Sequence, residues 1–73
     1  MGWDSDRKMR DAAYAAIPSA WPGLSDDNRA DVIDLLSTFD YPLAFDYLLT
    51  SVTIDSDAAD RIRAADPTRT NVA

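Results

Sequence analysis

The side chains that most often carry out enzymatic chemistry are scarce in this chain. Its 73 residues include no His and no Cys. General acid–base catalysis at neutral pH most often uses His, and nucleophilic catalysis needs Ser or Cys beside a base. The serines occupy positions typical of helix caps, turns and helix surfaces, and none lies in a Gly-x-Ser-x-Gly turn. We therefore predict a protein that is not an enzyme.

Metal and cofactor sites are also not expected. The usual zinc and iron ligands are missing along with His and Cys. Asp55, Asp57 and Asp60 have some of the spacing of a calcium loop, but the loop's glycine and its closing glutamate are absent. Gly2 and Gly23 are the only glycines, so no phosphate-binding glycine loop can form. We predict instead a helix cap followed by acids in the first turn of the helix, and we predict that the chain binds no cofactor.

Acidic side chains are the most concentrated polar groups. All 13 acids are Asp, against seven Lys and Arg residues, and the net charge is −6. This sign repels phosphate backbones, and the one basic cluster, Arg7, Lys8 and Arg10, is interrupted and followed by acids. We predict no direct binding of nucleic acid and favour a basic protein as the partner.

Three of these acids share one helix face. At 100° per residue, Asp27, Asp31 and Asp34 fall within about 60° of one another. We call these three residues the acidic ridge. Two interpretations stay open: a solvated helix face, or a carboxylate patch that steers and docks a basic protein.

A second contact region is predicted near the turn that follows, with Asp40, Tyr41 and Asp46. Exposed aromatic side chains are expected to anchor the contact, because Tyr and Trp dominate interface hot spots. For Trp21 and Tyr47, packing in the core is the more frequent role. The aromatic candidates are Trp3, Tyr14, Trp21, Tyr41 and Tyr47.

Four helices are predicted to position these groups. The first covers residues 4–17 and ends at Pro18; its small residues share one face, and Tyr14 points away from them. An ordered loop follows, in which Trp21 closes one end of the core. The second helix begins after its N-cap Ser25 and buries the side that carries Val32, Ile33, Leu35, Leu36 and Phe39.

The last two helices follow from capping residues and apolar runs. Asp40 caps the third helix, with Pro42 in its first turn, and the apolar run over residues 43–52 places this helix at the centre. Asp55 or Ser56 caps a shorter fourth helix, which ends before Pro67. We predict an all-α fold, a small antiparallel bundle of four short helices in one domain over residues 1–66, with a flexible tail at 67–73.

No apolar run is long enough for a signal peptide or a membrane-spanning helix. We therefore expect a cytoplasmic protein with no membrane partner.

The stretch from Leu24 to Ala65 resembles the small MafI-type immunity proteins of bacterial polymorphic toxin systems. The matching segments are LSDDNRADVIDLL, then FDYPLAFDYLL, then the capped helix from Asp55. In this resemblance Asp40 and Tyr41 occupy the acidic and aromatic turn positions, and a glycine of the family's turn is replaced by Pro42. The resemblance implies a stoichiometric inhibitor, an antitoxin-like protein that caps a toxin domain, often a nuclease.

Two other function classes stay open. One is an acidic phage or plasmid inhibitor that mimics DNA, which requires acids in two long rows. The other is a structural subunit that forms a homodimer through its apolar third helix.

Overall fold

The computed structural model describes residues 2–66, with side chains from residue 6 onward. Within this range it contains four helices and no strands. They are α1 (Gly2–Ala20), α2 (Asp26–Ser37), α3 (Tyr41–Leu49) and α4 (Ser56–Ala65), and a 3-10 turn, Trp21–Gly23, follows α1. The predicted all-α bundle of four short helices is confirmed. The predicted flexible tail, 67–73, lies outside the described residues.

Helix α1 packs against α3 and α4, whereas α2 packs mainly against α3. The buried face of α1 consists of small residues and Met9: Ala12, Ala13, Ala16 and Ala20. Small side chains allow neighbouring helices to approach closely, and the larger core residues come from α3 and α4: Phe45, Leu48 and Ile62, all fully buried. Burying each of these three stabilises the fold by roughly 1.5–3 kcal/mol.

The capping predictions are confirmed at two helices. The Ser25 side chain accepts a hydrogen bond from the Asn28 amide at 3.2 Å. At α4 the cap is Asp55, whose carboxylate accepts hydrogen bonds from the amides of Asp57 and Ala58 at 3.1 and 3.3 Å. Asp40 occupies the N-cap position of α3, but its side chain makes no capping hydrogen bond there.

The predicted end of α1 at Pro18 is wrong. The helix continues through Pro18 to Ala20. Proline removes one backbone donor, which would have bonded to the carbonyl of Tyr14. Tyr14 lies on an exposed part of α1, and the helix keeps its geometry across this missing hydrogen bond.

The predicted third helix extended too far. Helix α3 ends at Leu49, with Thr50 as its C-cap. Val52 lies in the following turn and is 90% exposed, so it forms no part of the apolar centre. The reason is that Ser51 leaves the helix to donate a hydrogen bond from its Oγ to the carbonyl of Ala20 at 2.6 Å.

The connection between α1 and the loop before α4 is held by hydroxyl groups. The Thr53 Oγ1 donates to the Ser19 carbonyl at 2.5 Å, and the Asp55 amide donates to the Ser19 Oγ at 2.9 Å. The hydroxyls of Ser51 and Thr53 thereby satisfy the carbonyls of Ala20 and Ser19 at the C-terminal end of α1, which have no partner inside the helix. A side chain at Gly23 would clash here, because a Cβ at that position would lie 2.9 Å from the backbone nitrogen of Thr53.

Candidate partner-binding surface

The acidic ridge lies on the outward face of α2, and Asp27, Asp31 and Asp34 are all exposed. Val32, the one fully buried residue of this helix, faces the opposite direction and packs in the core. Helical periodicity alone sets this arrangement, because the three acids are spaced four and three residues apart. The ridge extends over about 10 Å of helix axis, given a rise of 1.5 Å per residue.

Few counter-charges accompany these acids. Among residues 6–66 the structure has three ion pairs, Arg10–Asp11, Arg29–Asp26 and Arg63–Asp60, at 3.3–3.4 Å. All three join close neighbours in sequence, and such exposed pairs contribute little. None involves a ridge residue, so the negative charge of the ridge is open to a partner.

The N-terminal end of α2 is fixed by Arg29. Its Nε donates to the carbonyl of Trp21 at 3.0 Å, and its guanidinium lies over the Trp21 ring, 5.8 Å from the centroid. Trp21 is half-buried and packs against the core, as predicted for the loop after α1. A cation–π contact combined with a hydrogen bond ties the start of α2 to the 3-10 turn.

The second predicted contact region is divided by the fold. Asp40 is exposed at the α2–α3 junction, and Asp46 is exposed on the outer side of α3. Tyr41 is only 5% exposed and belongs to the core, so the expectation of an exposed aromatic anchor at this position is wrong. Phe39 adopts a positive φ of 61° and reverses the chain, which carries Tyr41 inward.

Phe39 is an exposed aromatic that the sequence analysis placed on the buried side of α2. The structure corrects this, because Phe39 is 74% exposed and its ring lies 6.4 Å from that of Tyr41, at a tilted angle. The amide of Asp40 donates to the Leu35 carbonyl at 2.8 Å, and the Phe39 amide to the Leu36 carbonyl at 3.2 Å. This is the Schellman arrangement at a helix end, which usually has glycine at the position of Phe39.

Ile33 is the second correction on α2, since its side chain is 57% exposed. It lines an open groove between α1 and α2 together with Tyr14, which is 54% exposed and points away from the small-residue face as predicted. We call this the α1–α2 groove; its lining residues are Tyr14, Ile17, Trp21, Ile33, Leu36 and Ser37. The groove brings Tyr14 close to α2, though not onto the face that carries the ridge.

No family model, curated protein or solved structure matches this chain.

The described part of the chain has neither a cluster of metal-ligating side chains nor a helix that could span a membrane. Residues 6–66 contain no group of three or more His, Cys, Asp or Glu residues placed to hold a metal ion. Between residues 2 and 66, no helix has the length and apolar character needed to cross a bilayer.

Asp66, a buried acid that the sequence analysis did not single out, terminates α4, and its amide donates to the Ile62 carbonyl at 3.0 Å.

Proposed function

We propose that this protein is a non-enzymatic inhibitor of the immunity type, which binds a basic toxin or nuclease domain and blocks its active site. The observation that carries the proposal is the acidic ridge on α2, which is exposed and has no ion pair within residues 6–66. The net charge of the whole chain is −6, so the rest of the molecule also attracts a basic protein. We further propose that the inhibitor binds its target in the cytoplasm.

The compactness of the ridge favours this function over DNA mimicry. Three carboxylates on one helix occupy about 10 Å, whereas a duplex presents two long rows of phosphates. Carboxylates in a small patch are suited to meeting a few Lys or Arg side chains around an active site. Asp40 and Asp46 are exposed on neighbouring parts of the chain and would extend the acidic surface.

The ridge would act mainly on the rate of association. Charge complementarity raises association rates and is screened by salt, with a Debye length of about 8 Å at physiological ionic strength. Tight inhibition also needs buried apolar anchors. Tyr14 is the exposed aromatic of the predicted site, and we expect it to contribute to the dissociation rate more than the acids do.

The test compares two triple variants of the tagged protein in a pull-down from its own cell lysate. The first replaces the ridge, Asp27→Asn, Asp31→Asn and Asp34→Asn. The second is a matched control on other helices, Asp11→Asn, Asp57→Asn and Asp60→Asn, with the same change in net charge. We expect one basic protein to be retained at a 1:1 ratio by the wild type and the control, and lost by the ridge variant.

The captured protein is then assayed alone and with the wild-type chain. An enzymatic activity, such as nuclease activity, that disappears at one equivalent supports an inhibitor. Equal loss of the captured protein by both triple variants would mean that net charge, and not the ridge, determines binding. A captured protein whose activity is unchanged would refute inhibition.

A further inference from the structure

Phe39 combines an unfavourable backbone conformation with an exposed ring. Its φ of 61° lies in the left-handed region, which is unfavourable for any residue that has a Cβ. Among the described residues, Phe39 is the only one other than glycine with a positive φ. Glycine adopts this conformation without strain and is the usual residue at this position of a helix end. The backbone therefore favours glycine at position 39.

The Phe39 ring adds little to the packing of the bundle. The residue is 74% exposed and lies outside the core cluster formed within residues 6–66. Its ring contacts that of Tyr41, which the core already buries. An exposed ring gains little of the free energy that burial of an aromatic side chain provides. Folding does not explain phenylalanine at this position, and strained residues cluster at sites that bind ligands or partners.

Two exposed acids border Phe39 along the chain. Asp34, the last residue of the acidic ridge, precedes Phe39 by five residues, and Asp40 follows it directly. Neither carboxylate forms an ion pair within residues 6–66. The Asp34 carbonyl accepts a hydrogen bond from the Thr38 amide at 3.2 Å, so the last turn of α2 holds the ridge close to the ring. Both carboxylates are open to a partner that covers Phe39.

The charges on the α1 side of Phe39 offset one another. Phe39 borders an open depression that Asp6, Arg7 and Arg10 of α1 also line. Arg10 is paired with Asp11 at 3.4 Å, and the charge of Asp6 balances that of Arg7. Because the two carboxylates on the other side have no such balance, the surroundings of the ring are negative overall. They suit a partner that presents basic groups around an apolar pocket.

We propose that Phe39 is the apolar anchor by which this protein holds its basic partner. The ring enters an apolar pocket of the partner, and Lys or Arg side chains at the edge of that pocket meet Asp34 and Asp40. Aromatic side chains are enriched at the centre of interfaces, where a few residues carry most of the binding energy. This inference rests on the proposed inhibitor function, because it adds Phe39 to the same acidic surface.

The test measures binding kinetics with the basic protein that the wild-type chain retains in the pull-down, after that protein is purified and identified by mass spectrometry. Phe39→Gly removes the ring and supplies the residue that tolerates the positive φ. We expect it to raise the Kd by about tenfold or more, mainly through faster dissociation, at both low and high salt. The ridge variant should instead associate more slowly, an effect that salt reduces.

Urea unfolding of the isolated variants separates binding from folding. The unfolding midpoint of Phe39→Gly should equal or exceed that of the wild type, so that weaker binding is not a consequence of unfolding. Phe39→Ala keeps a Cβ at positive φ, and it should bind as weakly as Phe39→Gly but unfold at a lower urea concentration. A lower midpoint for Phe39→Gly than for the wild type would give the ring a structural role and overturn the proposal.

Val52→Ala is the matched control, because Val52 is 90% exposed in the turn after α3 and should leave the Kd unchanged. Equal effects of Val52→Ala and Phe39→Gly on the Kd would overturn the anchor. Unchanged binding by Phe39→Gly, with loss of binding by the ridge variant, would overturn the anchor and leave the inhibitor function intact. Weaker binding by Phe39→Gly to a protein whose activity the wild type does not block would refute the inhibitor and support the anchor. If the wild type retains no basic protein, both proposals are refuted.

Discussion

Replacing Ser51 by Ala tests whether the hydroxyl contacts at the end of α1 hold the bundle together. Ser51 is 5% exposed, and its Oγ donates to the carbonyl of Ala20, 31 residues earlier, at 2.6 Å. Ala20 is itself fully buried. Without the hydroxyl, this carbonyl loses a partner at a position that water reaches poorly, which costs about 1–3 kcal/mol. The Thr53 amide also loses its acceptor at 3.3 Å, although the Thr53 residue itself is exposed.

We expect Ser51→Ala to lower the free energy of unfolding by about 2 kcal/mol, out of roughly 4–10 kcal/mol for a domain of this size. The midpoint of thermal unfolding should fall by about 8–16 °C, measured by circular dichroism. Thr50→Val is the matched control, because the Thr50 hydroxyl also donates to a carbonyl at 2.6 Å, that of Tyr47, but in an exposed position. It should cost less than about 0.5 kcal/mol. Equal effects of the two substitutions would refute the reasoning, since burial would then make no difference.

Three further substitutions test packing by urea unfolding. Gly23→Ala should destabilise the fold by about 1–3 kcal/mol, because the new Cβ would lie 2.9 Å from the backbone nitrogen of Thr53; an unchanged midpoint would show that the loop can move aside. Val32→Ala should lower the free energy of unfolding by about 2 kcal/mol, because it leaves a cavity under α2. Ile33→Ala, at a 57% exposed position, should lower it by less than about 0.5 kcal/mol. The reverse order would contradict the observed orientation of α2.

Features of the fold that depend on local sequence could be predicted. The N-caps Ser25 and Asp55 act on amides two or three residues away, so their role is visible in the sequence itself. The continuation of α1 through Pro18 could not be predicted, because a proline within a helical pattern usually ends or kinks the helix. The end of α3 depends on a partner of Ser51 that is 31 residues distant. Neither the continuation of α1 nor the end of α3 leaves a periodic pattern of residues in the sequence.

The candidate site shows the same division. The exposure of the acidic ridge follows from helix geometry, and the structure places all three acids outward. The opposite positions of Phe39 and Tyr41 follow from one backbone angle, φ of 61°. Glycine is the usual sequence signal for such an angle, and Phe gives none. The exposure of Phe39 and the burial of Tyr41 therefore became apparent only with the structure.

The way α2 is attached has a consequence for how the protein opens. Helix α2 contributes a single fully buried side chain and packs mainly on α3, while α1, α3 and α4 form the rest of the core. Regions with few buried contacts exchange their amide hydrogens through local opening, at a lower free energy than global unfolding. We therefore expect α2 to open first, while the remaining three helices stay assembled. A ligand that grips the outer face of α2 would slow this opening and protect its amides, so ligand binding and the local stability of α2 are thermodynamically linked.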